Sequence, residues 1–272
     1  MPFIVIPSSH ELYYVLRSPE DAGSSGLTFL FIHGLGSSSS FYATVMPALV
    51  AAGHQCLAFD MNGSCLTKYS GKDNSIQDHA NDAKALIHEF GISPEKVVAV
   101  GHSMGGLVAG TLATELDLAG AVLIGAVTPS DAIATVFSQR IKTVEQNGME
   151  PMADSIPAAA TGSKSTATHH AFIRALLLSQ TSQGYAGLCR AIATALPVMY
   201  AKAQCPALLI AGADDKVVPA ASMAEIKKSW GAGREQASLE VLEGVGHWHC
   251  IEAGDKIGAL LVDFARQIKQ TS

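Results

Sequence analysis

The sequence predicts an α/β fold: a mostly parallel, doubly covered sheet with an inserted helical cap. Three observations predict it. Short apolar runs at Leu27 to Ile32, Cys56 to Phe59, Val97 to Val100, Ala121 to Val127, Ala207 to Ala211 and Leu239 to Leu242 alternate with helical patterns. Strands read this way when helices cover both faces of a parallel sheet. The beat fails from Thr128 to Cys205, where helical spacing replaces strand-like runs. It resumes at Pro206, so the core is built from both ends of the chain.

A chain of 272 residues that is 48% apolar suffices for one large core. The expected division is an α/β core of residues 1–127 and 206–272 with a cap of residues 128–205. Leu12 to Arg17 is expected to pair antiparallel with Leu27 to Ile32 near one edge, since only a short piece rich in Gly and Ser separates them. Phe41 to Ala52, Ser75 to Phe90 and Met104 to Leu116 carry apolar residues at helical spacing, with Gly53 and Gly91 as two of the stops. Within the cap, Ala158 to Thr168 reads as a weak helix end followed by a mobile loop. The amphipathic stretch Ile257 to Ile268 supplies a last covering helix.

Charged residues make up only 15% of the chain, the formal charge is −6, and the two signs are interspersed. No basic stripe invites nucleic acid. The apolar start from Phe3 to Ile6 is cut by Pro7 and lacks a basic flank, which reads as neither a signal peptide nor a membrane span. Cys56, Cys65, Cys189, Cys205 and Cys250 are scattered without a CxxC pair. They suggest neither a disulfide framework nor a thiolate zinc site, and point to a reducing, cytoplasmic setting. His247, His249 and Cys250 cluster, with His169 and His170 elsewhere, but without an HExxH helix or a repeated ligand spacing. No metal and no cofactor is therefore expected.

Gly101-His102-Ser103-Met104-Gly105 places a GxSxG where a β-branched run joins a helix. A nucleophile there projects from a crowded turn, so small residues two positions to either side let strand and helix approach. Ser103 is the expected nucleophile, and His102 is expected to fill the motif rather than catalyse. A serine hydroxyl needs a base to accept its proton, and in this architecture the acid and then the histidine follow the serine in the chain. Leu208 to Ala211 runs into Gly212, Asp214, Asp215 and Pro219, which places acids at the carboxyl end of a strand. Asp215 is the expected acid, with Asp214 and Asp131 as alternatives; Asp214 is expected to cap a turn amide or face solvent. Gly244-Val245-Gly246-His247 completes the order, and His247 is the expected base. His249 is expected to face the last helix or solvent. An oxyanion is held by amides from the residue after the nucleophile and from an early loop, here Met104 and Leu35 in His33-Gly34-Leu35-Gly36. The His33 ring is expected to bond nearby backbone.

Taken together, His33-Gly34, Gly101 to Gly106, Gly212 to Pro219 and Gly246-His247 resemble the α/β-hydrolase superfamily on both sides of the insertion. Within the cap, Gln183 to Ile192 is similar to the lid stretch of the 3-oxoadipate enol-lactonase group. One departure stands out: Asp60-Met61-Asn62-Gly63-Ser64-Cys65 lacks the arginine and second glycine that many relatives carry there. That bears on a local turn and a buried charge network more than on chemistry. The expected function is a serine esterase or lactonase with a Ser-His-Asp triad, an acyl-enzyme and a small or medium uncharged ester or lactone as substrate, since no basic cluster accompanies the motifs. Val217 and Trp248, next to triad members in sequence, are expected pocket walls, and Tyr185 is expected on a lid helix. The same triad also serves perhydrolase, lyase and carbon-carbon hydrolase chemistry, or a slow-turnover small-molecule receptor.

Overall fold

A computed structural model describes residues 2–7, 11–20, 26–231 and 236–271. Strands β1 (Phe3–Val5), β2 (Glu11–Arg17), β3 (Thr28–Ile32), β4 (Gln55–Phe59), β5 (Val97–His102), β6 (Gly120–Ile124), β7 (Ala207–Gly212) and β8 (Ala237–Leu242) form one sheet in the order β1-β2-β4-β3-β5-β6-β7-β8. From β4 to β8 in this order every pairing is parallel, while β2 is antiparallel to β4 and β1 to β2. The expected pairing of β2 with the run at Leu27 to Ile32 is thus corrected: β4 lies between them. The reason is burial. All five residues of β3 are buried, so it gains most in the middle of the sheet between two apolar neighbours, whereas the half-buried β2 suits the flank.

The helices are α1 (Met46–Ala51), α2 (Ile76–Glu89), α3 (Met104–Glu115), α4 (Asp131–Asn147), α5 (Glu150–Ala159), α6 (Ala167–Leu178), α7 (Ser182–Ala193), α8 (Ala220–Ser229), α9 (His249–Glu252) and α10 (Gly254–Thr271). The run expected as one helix from Phe41 to Ala52 divides into a 3-10 turn at Ser39–Tyr42 and α1. The α2 start is set by a capping box: the Ser75 hydroxyl accepts from the Asp78 amide, and the Asp78 carboxylate accepts from the Ser75 amide. Helices α4 to α7 lie between β6 and β7 in the chain, with α4 packed on α7 and α5 on α6. Among the described residues, no helix is long and apolar enough to cross a membrane.

The topology fixes where a site can form. From β3 the chain crosses to β4 on one side, then returns to β5 on the other. Connections that diverge from neighbouring strands leave a crevice beyond their carboxyl ends. Ile32 and Gly101 are register partners at that point, so the loop after β3 and the turn after β5 face each other. The Tyr42 hydroxyl donates to the Ile32 carbonyl at 2.8 Å and fixes the end of β3. Both groups are buried, and burial holds the Tyr42 pKa well above the usual phenol value. Tyr42→Phe is expected to lower stability by about 1–2 kcal/mol, because the carbonyl then loses a buried donor. Urea unfolding checks this; an unchanged midpoint would show that the bond contributes nothing.

Candidate active site

Ser103 sits where β5 ends and α3 begins, with φ 54° and ψ −116°. A non-glycine residue there carries strain on the order of 1–3 kcal/mol, and persists only where the surroundings over-determine it. Here the neighbours do so. A Cβ on Gly101 would lie 2.0 Å from the Gly105 carbonyl oxygen, and one on Gly105 would lie 2.1 Å from the Ile32 oxygen. Helix α3 therefore rests directly on backbone of β3 and β5. Gly34 completes the contact from the other side, since a Cβ there would come within 2.9 Å of the Ser103 Cβ.

The structure brings Ser103, His247 and Asp215 into one hydrogen-bonded line. His247 Nε2 lies 2.9 Å from Ser103 Oγ, and His247 Nδ1 lies 2.8 Å from Asp215 Oδ2. A carboxylate only accepts, so Nδ1 carries the proton and Nε2 is left free to accept from the serine hydroxyl. Asp215 Oδ1 accepts from the Val217 and Val218 amides at 2.8 and 2.9 Å. Burial alone would raise the Asp215 pKa; the neighbouring His247 ring and these hydrogen bonds outweigh it and hold the carboxyl below the usual range. The line is almost enclosed, with Ser103 6% and His247 8% exposed. Asp214 turns the other way, and its Oδ2 accepts from the Ser163 amide at 2.7 Å. Asp131 stands apart as the first residue of α4.

Two further histidines bond the His247 backbone. His102 Nε2 and His249 Nδ1 lie 2.7 and 2.8 Å from the His247 carbonyl oxygen. Because a carbonyl only accepts, each ring donates to it. His249 was expected toward the last helix or solvent, yet it is fully buried, with Nε2 3.7 Å from Asp215 Oδ2. The signal in the sequence was faint: a second histidine two residues on returns to the same carbonyl only when a helix starts at once, as α9 does. Nitrogens of His102, His247 and His249 lie within 4.8 Å of one another. The His102 and His249 rings each bond the His247 carbonyl, while the His247 ring bonds Asp215 and Ser103. The His102 ring also stacks on Phe41, 4.3 Å between centroids, and Trp248 meets Phe41 edge-on at 6.1 Å.

The remaining expected residues fall around this line. His33 donates from Nδ1 to the Gly34 carbonyl and accepts from the Met61 amide at Nε2, tying the loop after β3 to that after β4. Leu35 follows in the same loop, and the Met104 amide is the first of α3, where amides have no intrahelical acceptor. Val217 is half-buried beside Asp215, and Trp248 is buried. Tyr185 on α7 is also buried, packed so that a Cβ on Gly36 would meet its ring at 3.1 Å. The Tyr185 hydroxyl is buried beside the Arg140 side chain. After β4, the Asp60 carboxylate accepts from the Ser39 and Leu66 amides, and Asn62 bonds Ser70 and the Lys72 carbonyl. Amides and an asparagine thus order the segment that lacks the arginine.

The chain matches the Alpha/beta hydrolase family over residues 29–259. It belongs to that family. Membership in that family makes it a hydrolytic enzyme by class. It is 27% identical to a non-heme haloperoxidase of Rhodococcus erythropolis, over 97% of this chain and 99% of the relative. It is 27% identical to a 2-hydroxy-6-oxononadienedioate/2-hydroxy-6-oxononatrienedioate hydrolase of Dechloromonas aromatica, over 90% and 88%. Among solved structures, a thermophilic esterase from Thermogutta terrifontis superposes with a TM-score of 0.87 at 19% identity, covering 98% of both chains. An enol-lactonase from Burkholderia xenovorans superposes with a TM-score of 0.83 at 22% identity, covering 97% of this chain and 99% of that one. The two structures share the α/β-hydrolase fold with this chain.

The buried histidines make a pH-dependent demand on this hydrolase. Burial, with the neighbouring His247 charge, pushes His249 down to about 4, and burial lowers His33 and His102 as well. In the unfolded chain these rings titrate near ~6.5. Between the two values the unfolded state binds protons that the folded state refuses, so stability is full above about pH 6.5 and falls as pH drops toward 4. His249 alone is expected to remove about 3 kcal/mol by pH 4. Urea midpoints measured between pH 4.5 and 8 check this on the order of these magnitudes; His249→Gln should flatten the acid slope, and an identical slope would refute the assignment.

Proposed function

We propose that the protein is a serine hydrolase that cleaves small or medium uncharged esters or lactones through an acyl-enzyme. The observation that carries the reading is the line from Ser103 Oγ through His247 to Asp215, with the proton on His247 Nδ1. Ser103 Oγ attacks the carbonyl carbon while His247 Nε2 takes its proton, and Asp215 stabilises the imidazolium. Negative charge then gathers on the carbonyl oxygen, which accepts hydrogen bonds from the Leu35 and Met104 amides. Met104 adds the positive end of α3 at that place. The imidazolium protonates the departing alkoxide, which for a lactone stays tethered to the acyl group. Water, deprotonated by His247 Nε2, next attacks the acyl carbonyl; the bond to Ser103 Oγ breaks, the imidazolium returns the proton to Oγ, and the acid is released.

Phe41 and Trp248 beside His102 support an apolar acyl site, with Val217 as a further wall and Tyr185 in the roof. The preference for uncharged substrates has support in Arg190 of the insertion, whose guanidinium is taken by Asp73 and Glu145. The lactone branch has support in the likeness of Gln183 to Ile192 to the enol-lactonase lid and in the enol-lactonase among the fold neighbours. A cytoplasmic setting belongs to the same reading, consistent with five free cysteines.

A fluorophosphonate is expected to label Ser103, and mass spectrometry of the digest checks it; labelling that survives Ser103→Ala would sink the nucleophile assignment. His247→Ala is expected to lower kcat by roughly 10⁴-fold or more, since the line acts as a unit. His249→Ala, which removes only one donor to the His247 carbonyl, should lower it by less than about 100-fold. Steady-state rates on a short acyl ester, compared at a temperature where both variants are folded, check the pair. Equal losses would mean that the base is misassigned.

A further inference from the structure

Residues 160–164 lie in the segment that joins α5 to α6 inside the insertion, in the stretch expected from sequence to be a mobile loop. Their hydrogen bonds run to both loops that carry Asp215 and His247. The Ala160 carbonyl accepts from the His247 amide at 2.7 Å, and the Lys164 amide donates to the Gly244 carbonyl at 3.0 Å. Ser163 donates from its amide and hydroxyl to Asp214 Oδ2 at 2.7 and 2.6 Å, one residue from the acid. The surfaces meet backbone to backbone. A Cβ on Gly162 would lie 2.4 Å from the Gly244 oxygen, and one on Gly246 would lie 2.4 Å from the Thr161 carbonyl carbon.

One carboxylate closes this contact. Glu252 Oε2 accepts from the Gly162 amide at 2.7 Å and the Gly246 amide at 3.0 Å, while Oε1 accepts from the Trp248 amide at 3.1 Å. Gly246 and Trp248 are the two residues flanking His247. A residue that merely capped α9 would take amides at the start of that helix; Glu252 also reaches back past the histidine and across 90 positions to the insertion. Each amide left without this acceptor would be free to turn, and the peptide on either side of His247 with it.

We propose that Glu252 is a positioning residue for His247 and that, through Gly162, it makes docking of the insertion a condition for seating the base. This rests on His247 being the base. The displacement at stake is small but consequential, because an error of about 1 Å in a catalytic group lowers rates by up to about 100-fold.

The test uses the full chain with Glu252→Leu, similar in bulk but without an acceptor, and Glu252→Gln, which keeps one acceptor oxygen. Each is assayed on a short acyl ester and with the fluorophosphonate, well below its unfolding midpoint. In Glu252→Leu, kcat and the labelling rate should fall together by roughly 10–100-fold while KM moves less than about threefold. Glu252→Gln should recover much of the loss. If Glu252→Leu does not fold, Asp214→Asn decides: weakening the Ser163 contact should lower kcat about threefold at constant KM, and no change would overturn the proposal. A lower melting temperature with unchanged kcat and labelling, or a rise in KM alone, overturns it too. Wild-type protein that hydrolyses the ester yet is not labelled at Ser103 would remove the acyl-enzyme reading and this inference together; labelled wild type with unaffected Glu252 variants would remove this inference alone.

Discussion

Everything near Ser103 depends on one steric constraint, the approach of α3 to within backbone contact of β3 and β5. Positive φ at Ser103 is tolerable only because Gly101 and Gly105 carry no Cβ where the Gly105 and Ile32 oxygens already stand. The turn cannot relax without lifting the helix, and the helix cannot lift without opening a sheet whose strands β3, β5, β6 and β7 are buried along their whole length. Strain of a few kcal/mol at one residue is thus held by packing that involves a large part of the core. The same closeness brings Gly34 of the loop after β3 against Ser103.

His247 is held by different means. His247 lies on a loop between β8 and α9, where no ladder fixes the backbone. Its carbonyl instead receives two ring donors, its own amide donates to Ala160, and the amides on either side go to Glu252. Helix α3 positions Ser103 by exclusion of space, and polar bonds position His247 by direction. Directional bonds are the weaker constraint per contact, which is why several are needed.

Much of this architecture was legible in the sequence, and the reasons are local. Four parallel strands read as uninterrupted apolar runs, and the turn at Ser103 needs glycines at fixed offsets, so both leave a trace in adjacent residues. The Gly212 to Pro219 and Gly246-His247 segments are similarly short. What escaped was whatever depends on distant partners. The place of β2 beside β4 is set by which strand gains most from central burial, which a single run does not reveal. His249 reads as facing the last helix or solvent until α9 folds it back to the His247 carbonyl, and nothing local to Glu252 signals that its donors lie at Gly162, Gly246 and Trp248. The segment at 160–164 is rich in small polar residues, a composition that suits a free loop and a backbone-to-backbone dock equally well.

The dock at 160–164 also bears on how such insertions are exchanged between proteins. A helical segment between two strands invites treatment as a module, cut at its ends and replaced to change specificity. In this chain the middle of the segment, not only its ends, is stitched to the core through Asp214, Gly244, His247 and Glu252. A foreign insertion without a glycine at the Gly162 place would press on the Gly244 carbonyl, and one without the matching amides would leave Glu252 and Asp214 short of donors. A chimaera would therefore need residues 160–164 carried over as part of the scaffold, with the splice points moved inward to the helices on either side.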